Sequence, residues 1–431
     1  MSQGNKLSRR NFLKLTGAAA AVAATGGVAK SPVFAGPNVI RRRKKIAIGV
    51  GGWAVDSMNK IFSEMDFTSK TGIEVEVLTR SGVANEFITE MAGAIQAKTS
   101  PYDVIDFEDE IAVTFSRAKW LRDLSDLVPA EVWSDFPQNM VDMAEVWDKY
   151  DGELFRVHHN YEACYWWYRK DWFDAKGAAV PTTWEEVAAL GSVFTNEGDG
   201  VWATEDGLVA GGMMNVYLAW ITLQAGGNPF EDMDAFRTGL EYIKGLVDNK
   251  TFNPASLQKN YDAINADYIA DKVAFMRQWP YFYNVSRAAT EWFAEDKTVV
   301  TLPPAGPVGK PLTYVAGWGW GIPKTTENPD EAAELVKWLV DTANAGQMLS
   351  LTNDVWYLSA RNSVLEAAGT EGIPSYLKMY SDAGAIGVRP FHPKFVEALT
   401  VLEESASAYL TDQINLDNAI KQTSDRLGKI K

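Results

Sequence analysis

The chain has 431 residues, 46% hydrophobic and 23% charged, which fits a large globular protein of two or three domains and excludes a disordered or fibrous one. Its single cysteine, Cys164, excludes an internal disulfide, so stability has to come from the core. With 41 Lys plus Arg against 56 Asp plus Glu the formal net charge is −15; so acidic a body is repelled by nucleic-acid phosphates and anionic lipid, and no nucleic acid is expected as a partner.

In chain order, the first feature is Ser8-Arg9-Arg10-Asn11-Phe12-Leu13-Lys14, followed by a weakly apolar Ala and Gly stretch from Leu15 to Val28 and by Val33-Phe34-Ala35, which offers small residues where a signal peptidase reads. Residues 1–35 therefore resemble a twin-arginine signal peptide. The apolar core is too short to remain as a membrane span, and the only cysteine lies far from the cleavage point, so no lipid anchor is expected. The mature protein is expected to begin near Gly36, to use the twin-arginine translocase during export, and to be soluble in the periplasm. The basic run Arg41 to Lys45 reads as a solvated arm behind the cleavage site.

Ile46 to Val50 reads as a buried strand, and Met58, Ile61, Phe62 and Met65 recur at helical spacing behind it. Ile73 to Val77 alternates as a second strand, Phe87, Ile88, Met91, Ala92 and Ile95 mark a helix, and Asp103 to Phe107 reads as a third strand. This alternation predicts an α/β fold with parallel strands covered by helices. A helix is predicted after Pro181, with Thr183 capping its free backbone donors and Glu186 reaching back. Strands are expected at Thr298 to Leu302 and around Thr313 to Trp318, a helix between Pro329 and Asp341, and helices over the last ~40 residues beyond Pro390 and Pro393. No period of 20–50 residues is visible, which excludes a solenoid or propeller.

Signs of catalysis are sparse. The chain has no G-x-S-x-G, H-E-x-x-H, phosphate loop or C-x-x-C, and its histidines are the adjacent pair His158 and His159, which point apart on a strand, and the isolated His392, so no metal site is expected. Gly49-Val50-Gly51-Gly52-Trp53-Ala54 satisfies a loose G-x-G-x-x-A dinucleotide pattern, with Glu76 or Arg80 as the ribose partner, but bulky Trp53 stands where a pyrophosphate needs close backbone approach. An exported nicotinamide-dependent sugar oxidoreductase is thus the alternative from another class. Glu108-Asp109-Glu110 follows the third strand, where open α/β sheets bind ligands and carboxylates can accept hydrogen bonds from hydroxyls. The 16 tryptophans are the main compositional oddity; with other aromatics they gather at Tyr161 to Trp172, at Trp279 to Tyr283, and at Trp318 and Trp320. Aromatic faces in a cleft pack on the C–H faces of a pyranose, although most such rings serve the core.

Several of these segments together resemble the extracellular solute-binding proteins of ABC sugar importers, the group that includes maltose-binding protein. The resemblance covers most of residues 45–431. It rests on Tyr168-Arg169-Lys170-Asp171-Trp172-Phe173, Pro181 to Glu186, Asp271 to Met276 leading into Trp279-Pro280-Tyr281, Gly317 to Pro323 with Asn328 to Ala333, and Tyr357 to Arg361, where Ser359 replaces the usual Pro. It implies a two-lobed periplasmic binding protein fold (type II), each lobe a central mainly parallel sheet flanked by helices, with the ligand cleft between lobes. Crossings are implied near His158–Tyr161, Thr313–Ala316 and Asp354–Leu358, giving a first lobe of 45–158 plus 316–354 and a second of 159–315 plus 355–431. The ligand-facing positions carried over are Trp53, Phe107, Glu108, Asp109, Glu110, Glu162, Tyr281 and Trp318. The aromatic clusters add Tyr161, Trp279 and Trp320, and Arg277, Arg361 and Arg389 are candidate donors to a polyol. Gly52-Trp53 stands where the maltose pattern has an Asp-Lys pair, so the resemblance does not carry over the identity of the ligand. The implied function is a monomeric, non-enzymatic receptor without cofactor that delivers a sugar or polyol to an ABC permease. The same fold holding a cation such as a polyamine is a further alternative, motivated by Glu108, Asp109, Glu110 and Glu162.

Overall fold

Apolar alternation sets the first strands, and the computed structural model, which describes residues 44–211, 213–289, 297–368 and 371–430, places them where the pattern predicts. The export signal and Arg41 to Arg43 lie outside the described residues. In chain order the strands are β1 (Lys44–Val50), β2 (Ile73–Thr79), β3 (Val104–Glu108), β4 (Lys149–Tyr150), β5 (Glu153–Leu154), β6 (Val157–His158) and β7 (Glu162–Ala163). They continue with β8 (Tyr165–Arg169), β9 (Trp202–Glu205), β10 (Val273–Gln278), β11 (Thr298–Thr301), β12 (Thr313–Ala316), β13 (Trp318–Gly321) and β14 (Ile386–Val388).

A five-stranded sheet has the order β2-β1-β3-β13-β6. Its first three strands are parallel and joined to one another through helices, while β13 runs antiparallel to both β3 and β6. The period of two in β3 sends Ile105 and Phe107 to one face, where they pack with Phe87, Met91 and Phe115, and Val104 to the other, with Met58 and Ile61 of the helix Val55–Glu64. A four-stranded sheet, β11-β8-β10-β9, is mixed: β8 is antiparallel to both neighbours and only β9 and β10 are parallel. The second sheet is therefore less parallel than the resemblance implies. The third sheet, β14-β12-β7, draws its strands from three distant parts of the chain.

The chain passes between the five-stranded and the three-stranded sheet at three places. β6 pairs in the five-stranded sheet and β7, after three intervening residues, in the three-stranded one, with Asn160 bridged to Ser359 between them. β12 and β13 are separated only by Gly317, and the segment around Ser359 supplies the third passage. At Gly317 a Cβ would meet Asn160 Oδ1 and His158 Cδ2 at 2.9 Å, so the closeness of the first two passages requires glycine there.

The helix Trp184–Ala189 starts as its sequence predicts: the Glu186 amide donates to Thr183 Oγ1. Glu186 reaches back one residue further than a capping box, accepting from the Thr182 amide (2.6 Å) and hydroxyl (2.8 Å). The helices Pro329–Leu339, Phe395–Leu410 and Leu416–Leu427 complete the predicted set. Many aromatics are core: Trp166 packs on Trp220, Trp167 on Phe282, and Trp184 stacks on Tyr242.

Candidate ligand cleft

The carboxyl ends of β1 and β3 and the start of β13 present one set of side chains together. Trp53, on the turn between β1 and its helix, is 53% exposed, with its ring edge-on to Trp318 at 5.2 Å. It also folds over its own glycine turn, so that a Cβ on Gly51 would lie 2.3 Å from the indole. The ring thus covers the backbone a pyrophosphate would need to approach, and the dinucleotide pattern loses its physical basis. Arg80 sits over the Trp318 ring (5.1 Å), pairs with Glu108 at 2.9 Å, and donates from Nε to the Asp106 carbonyl.

Behind this rim lies a buried ionic network. Arg156 donates from Nε to Asp148 (2.7 Å) and from Nη2 to Asp109 (2.6 Å). His158 lies between the same two carboxylates, Nδ1 at 2.5 Å from Asp148 and Nε2 at 3.2 Å from Asp109. Arg389, just beyond β14, reaches Asp109, Glu110 (2.7 Å) and Asn215 (3.1 Å). Burial alone would raise the pKa of Asp109, but Arg156, His158 and Arg389 outweigh it and hold the carboxyl well below the usual range. Burial opposes charge on His158 too; Asp148 overcomes it, and the imidazole pKa is raised.

Glu162 has a different environment. Its Oε1 accepts from Asn160 Nδ2 at 2.8 Å, while Asn160 Oδ1 accepts from the Trp318 amide. Burial, then the charges of Asp109, Asp106 and Asp354, push its pKa up to about 8. The four-stranded sheet contributes Trp279 and Tyr281, both half-buried, with the Tyr281 hydroxyl accepting from Asn265 at 3.0 Å. Arg277 is spent on a buried bidentate pair with Asp206, both contacts 2.8 Å, and on Cys164 Sγ. Burial pushes the Cys164 thiol up to about 12.

The expected positions therefore divide. Trp53 is exposed, and Glu108, Glu110, Glu162, Trp279, Tyr281 and Trp318 are half-buried. Phe107, Asp109, Tyr161, Arg277, Trp320, Arg361 and Arg389 are buried, each for a visible reason. Phe107 follows the strand alternation into the core and packs on Phe115, Tyr161 bonds to Asn139, and Trp320 stacks on His159. Arg361 donates to the Val132 and Val340 carbonyls and covers the Phe136 ring, a packing role rather than a free donor. The Glu108 to Glu110 cluster is not a solvated loop, since arginines meet all three members. Asp148, Arg156, Asn160, Asp206 and Asn215 join these contacts without any local pattern in the sequence to mark them. Among the described residues no group of three or more His, Cys, Asp or Glu could hold a metal, and no helix is long and apolar enough to cross a membrane.

Comparison with known families matches residues 51–346, more than half of the chain, to the bacterial extracellular solute-binding protein family. The chain belongs to that family. Residues 6–26 of this solute-binding protein match the twin-arginine translocation signal, which places it in the periplasm. It is 24% identical to a probable ABC transporter-binding protein of Deinococcus radiodurans, over 88% of this chain and 93% of that one. Its fold is similar to that of maltose-bound MalE3 of T. maritima, with a TM-score of 0.77 and 20% identity over 90% of this chain and 100% of that one. A solute-binding protein of Agrobacterium radiobacter K84 in complex with ribitol gives 0.75 and 20% over 90% and 99%, and one of Agrobacterium vitis S4 with bound D-mannitol gives 0.71 and 18% over 90% and 98%. These likenesses show the two-lobed α/β fold of periplasmic binding proteins.

Proposed function

We propose that this solute-binding protein captures a sugar, oligosaccharide or polyol between two lobes, without turning it over, and delivers it to the membrane permease of an ABC importer. The observation that carries the reading is the position of Glu162. Its strand β7 lies in the chain between β6 of the five-stranded sheet and β8 of the four-stranded sheet, and its carboxyl accepts from Asn160, whose own side-chain oxygen accepts from the Trp318 amide. Around it stand the Trp53 and Trp318 rings, Trp279, and the Arg80–Glu108 pair, a combination of aromatic faces and polar groups suited to a hydroxyl-rich ligand. Structural relatives with bound maltose, D-mannitol and ribitol support the ligand class.

The lobes proposed are 45–158 plus 316–354 and 159–315 plus 355–431, closing about the three passages as a hinge when ligand binds, in a protein that acts as a monomer. The acidic surroundings of Glu162 favour one other occupant, a cation such as a polyamine. Titration calorimetry of the mature protein, from about residue 36, against neutral sugars, polyols and polyamines tests both. A neutral ligand is expected to bind without being chemically altered. Trp53→Ala, at an exposed ring, is expected to weaken that binding at least tenfold and to change stability by less than about 0.5 kcal/mol. Binding of a polyamine alone, lost in high salt, would replace the sugar reading with the cationic one.

A further inference from the structure

Five buried polar atoms without a protein partner among the described residues belong to one imidazole and the four side chains gathered around it: His159 Nδ1, Asp106 Oδ2, Trp320 Nε1, Trp356 Nε1 and the Tyr357 hydroxyl. The His159 ring stacks on Trp320 at 4.4 Å, meets Trp356 edge-on at 4.6 Å and lies 6.3 Å from Tyr357. Trp356 and Tyr357 touch at 4.6 Å, and Asp106 stands directly opposite Trp320 in the β3–β13 pair. Asp106 Oδ1 takes His159 Nε2 at 2.8 Å. Buried polar atoms in folded proteins are almost always paired, so five orphans on neighbouring side chains mark a place whose hydrogen bonds are completed from outside the protein.

The kind of atom missing can be worked out. The two indole N–H groups only donate. A carboxylate only accepts, so His159 Nε2 carries the proton shared with Asp106. Burial, against the pull of Asp106, lowers the imidazole pKa, so the ring is neutral and Nδ1 is an acceptor. Asp106 Oδ2 also accepts, and the tyrosine hydroxyl does both. An anion would need donors throughout and a cation acceptors throughout. An even mixture beside aromatic faces suits hydroxyl groups, each of which gives one hydrogen bond and takes others.

We propose that Asp106, His159, Trp320, Trp356 and Tyr357 form a hinge-side subsite that takes a neutral, hydroxyl-bearing part of the ligand, an inference that rests on the receptor reading above. The neighbouring Asp354 is already engaged, accepting from the Ser57 hydroxyl (2.9 Å) and the Trp356 amide (3.1 Å). Trp356 and Tyr357 lie in the short turn Val355–Tyr357, within the third passage between sheets, where hinge movement is absorbed and where a shift would open the cluster to the cleft.

The test compares the mature protein with Tyr357→Phe and Trp356→Phe, using maltose, tagatose, D-mannitol, ribitol and, as the cationic probe, putrescine. Whichever neutral probe the parent binds is expected to bind each variant at least fivefold more weakly. The unfolding midpoint of free Tyr357→Phe is expected to stay level or rise, since that change removes only a polar atom without a partner, whereas Trp356→Phe also removes packed ring volume and is expected to lower the midpoint while keeping a cooperative transition. Unchanged affinity in both variants, with or without a lower midpoint, would mean that the atoms serve structure or buried water, and overturns the subsite alone. So would a loss of affinity that comes only with loss of the cooperative transition in both variants. Parent binding of putrescine but of no neutral probe overturns the assignment of a hydroxyl group, and no binding of any probe by the parent removes the receptor reading and the subsite together.

Discussion

Two carboxyls, the buried Asp109 and the half-buried Glu162, carry opposite electrostatics, and the difference lies in their neighbours. Asp109 meets Arg156, Arg389 and His158, whereas Glu162 has one neutral donor and three acidic neighbours. The Glu162 pKa, about 8 when folded against an ordinary 4.5, means that the native state keeps a proton which the unfolded chain releases between those values. Its contribution to stability is complete below pH 4.5 and is lost as the pH rises through about 8. Glu162→Gln removes this titration, so its stability relative to the parent is expected to rise by a few kcal/mol at most between pH 5 and pH 9, measured by urea unfolding of the free protein. A gap that stays constant with pH would show that the carboxyl is ionised throughout. Glu162 itself was legible in the sequence because Tyr161-Glu162-Ala163 keeps a family pattern; its acidic neighbours were not, since they come from three separate stretches of chain.

Among the elements, β13 shows how a short strand serves two purposes. Its Trp-Gly-Trp-Gly sequence alternates, and the glycine face is occupied by other residues: a Cβ on Gly319 would lie 2.6 Å from Arg156 Cγ and 2.7 Å from the Val157 carbonyl, and one on Gly321 would lie 2.8 Å from Phe107. The opposite face carries Trp318 to the Trp53 ring and Trp320 to His159. Gly319→Ala is therefore expected to destabilise the protein by about 1–3 kcal/mol, because the backbone oxygen cannot yield as a flexible side chain would. Gly93, exposed in the helix Ala84–Gln96 with nothing within 4 Å of a Cβ, is the counterpart, and Gly93→Ala is expected to stabilise by about 0.5–1 kcal/mol. Denaturant midpoints of the two variants should move in opposite directions; movement in the same direction would contradict the packing described for β13.

For the whole molecule the decisive fact is that sheets and chain order do not coincide. The five-stranded sheet takes β13 from residues 318–321 and inserts it between β3 and β6, and the three-stranded sheet needs β14 beside β12. A chain ending at residue 312 lacks the strand that joins β3 to β6 and is expected to show no cooperative thermal transition, whereas the mature full chain shows one. A sharp transition in the shortened chain would mean that the first three parallel strands fold without their antiparallel neighbour. The Asp109 network makes the same point in charge: Arg389 contacts a carboxylate 280 positions away.

Elements, export signal and family were readable from the sequence alone, because strand alternation, helical spacing, caps and the twin-arginine motif are local, and a few residues suffice to state each. Trp53, Glu162, Tyr281 and Trp318 were readable as cleft candidates on the same terms, from their places in recurring segments. The tertiary structure alone decided which of fourteen expected contacts stay near the surface and which are consumed by packing and ion pairs. It alone brought Asp106, Trp320, Trp356 and Tyr357 around the His159 imidazole. The physical reason is that a buried charge or an orphaned donor is defined by what stands opposite it, and here the opposite groups come from different passages of the chain. No local period records that meeting; the register of β13 against β3 and the path of the three passages do.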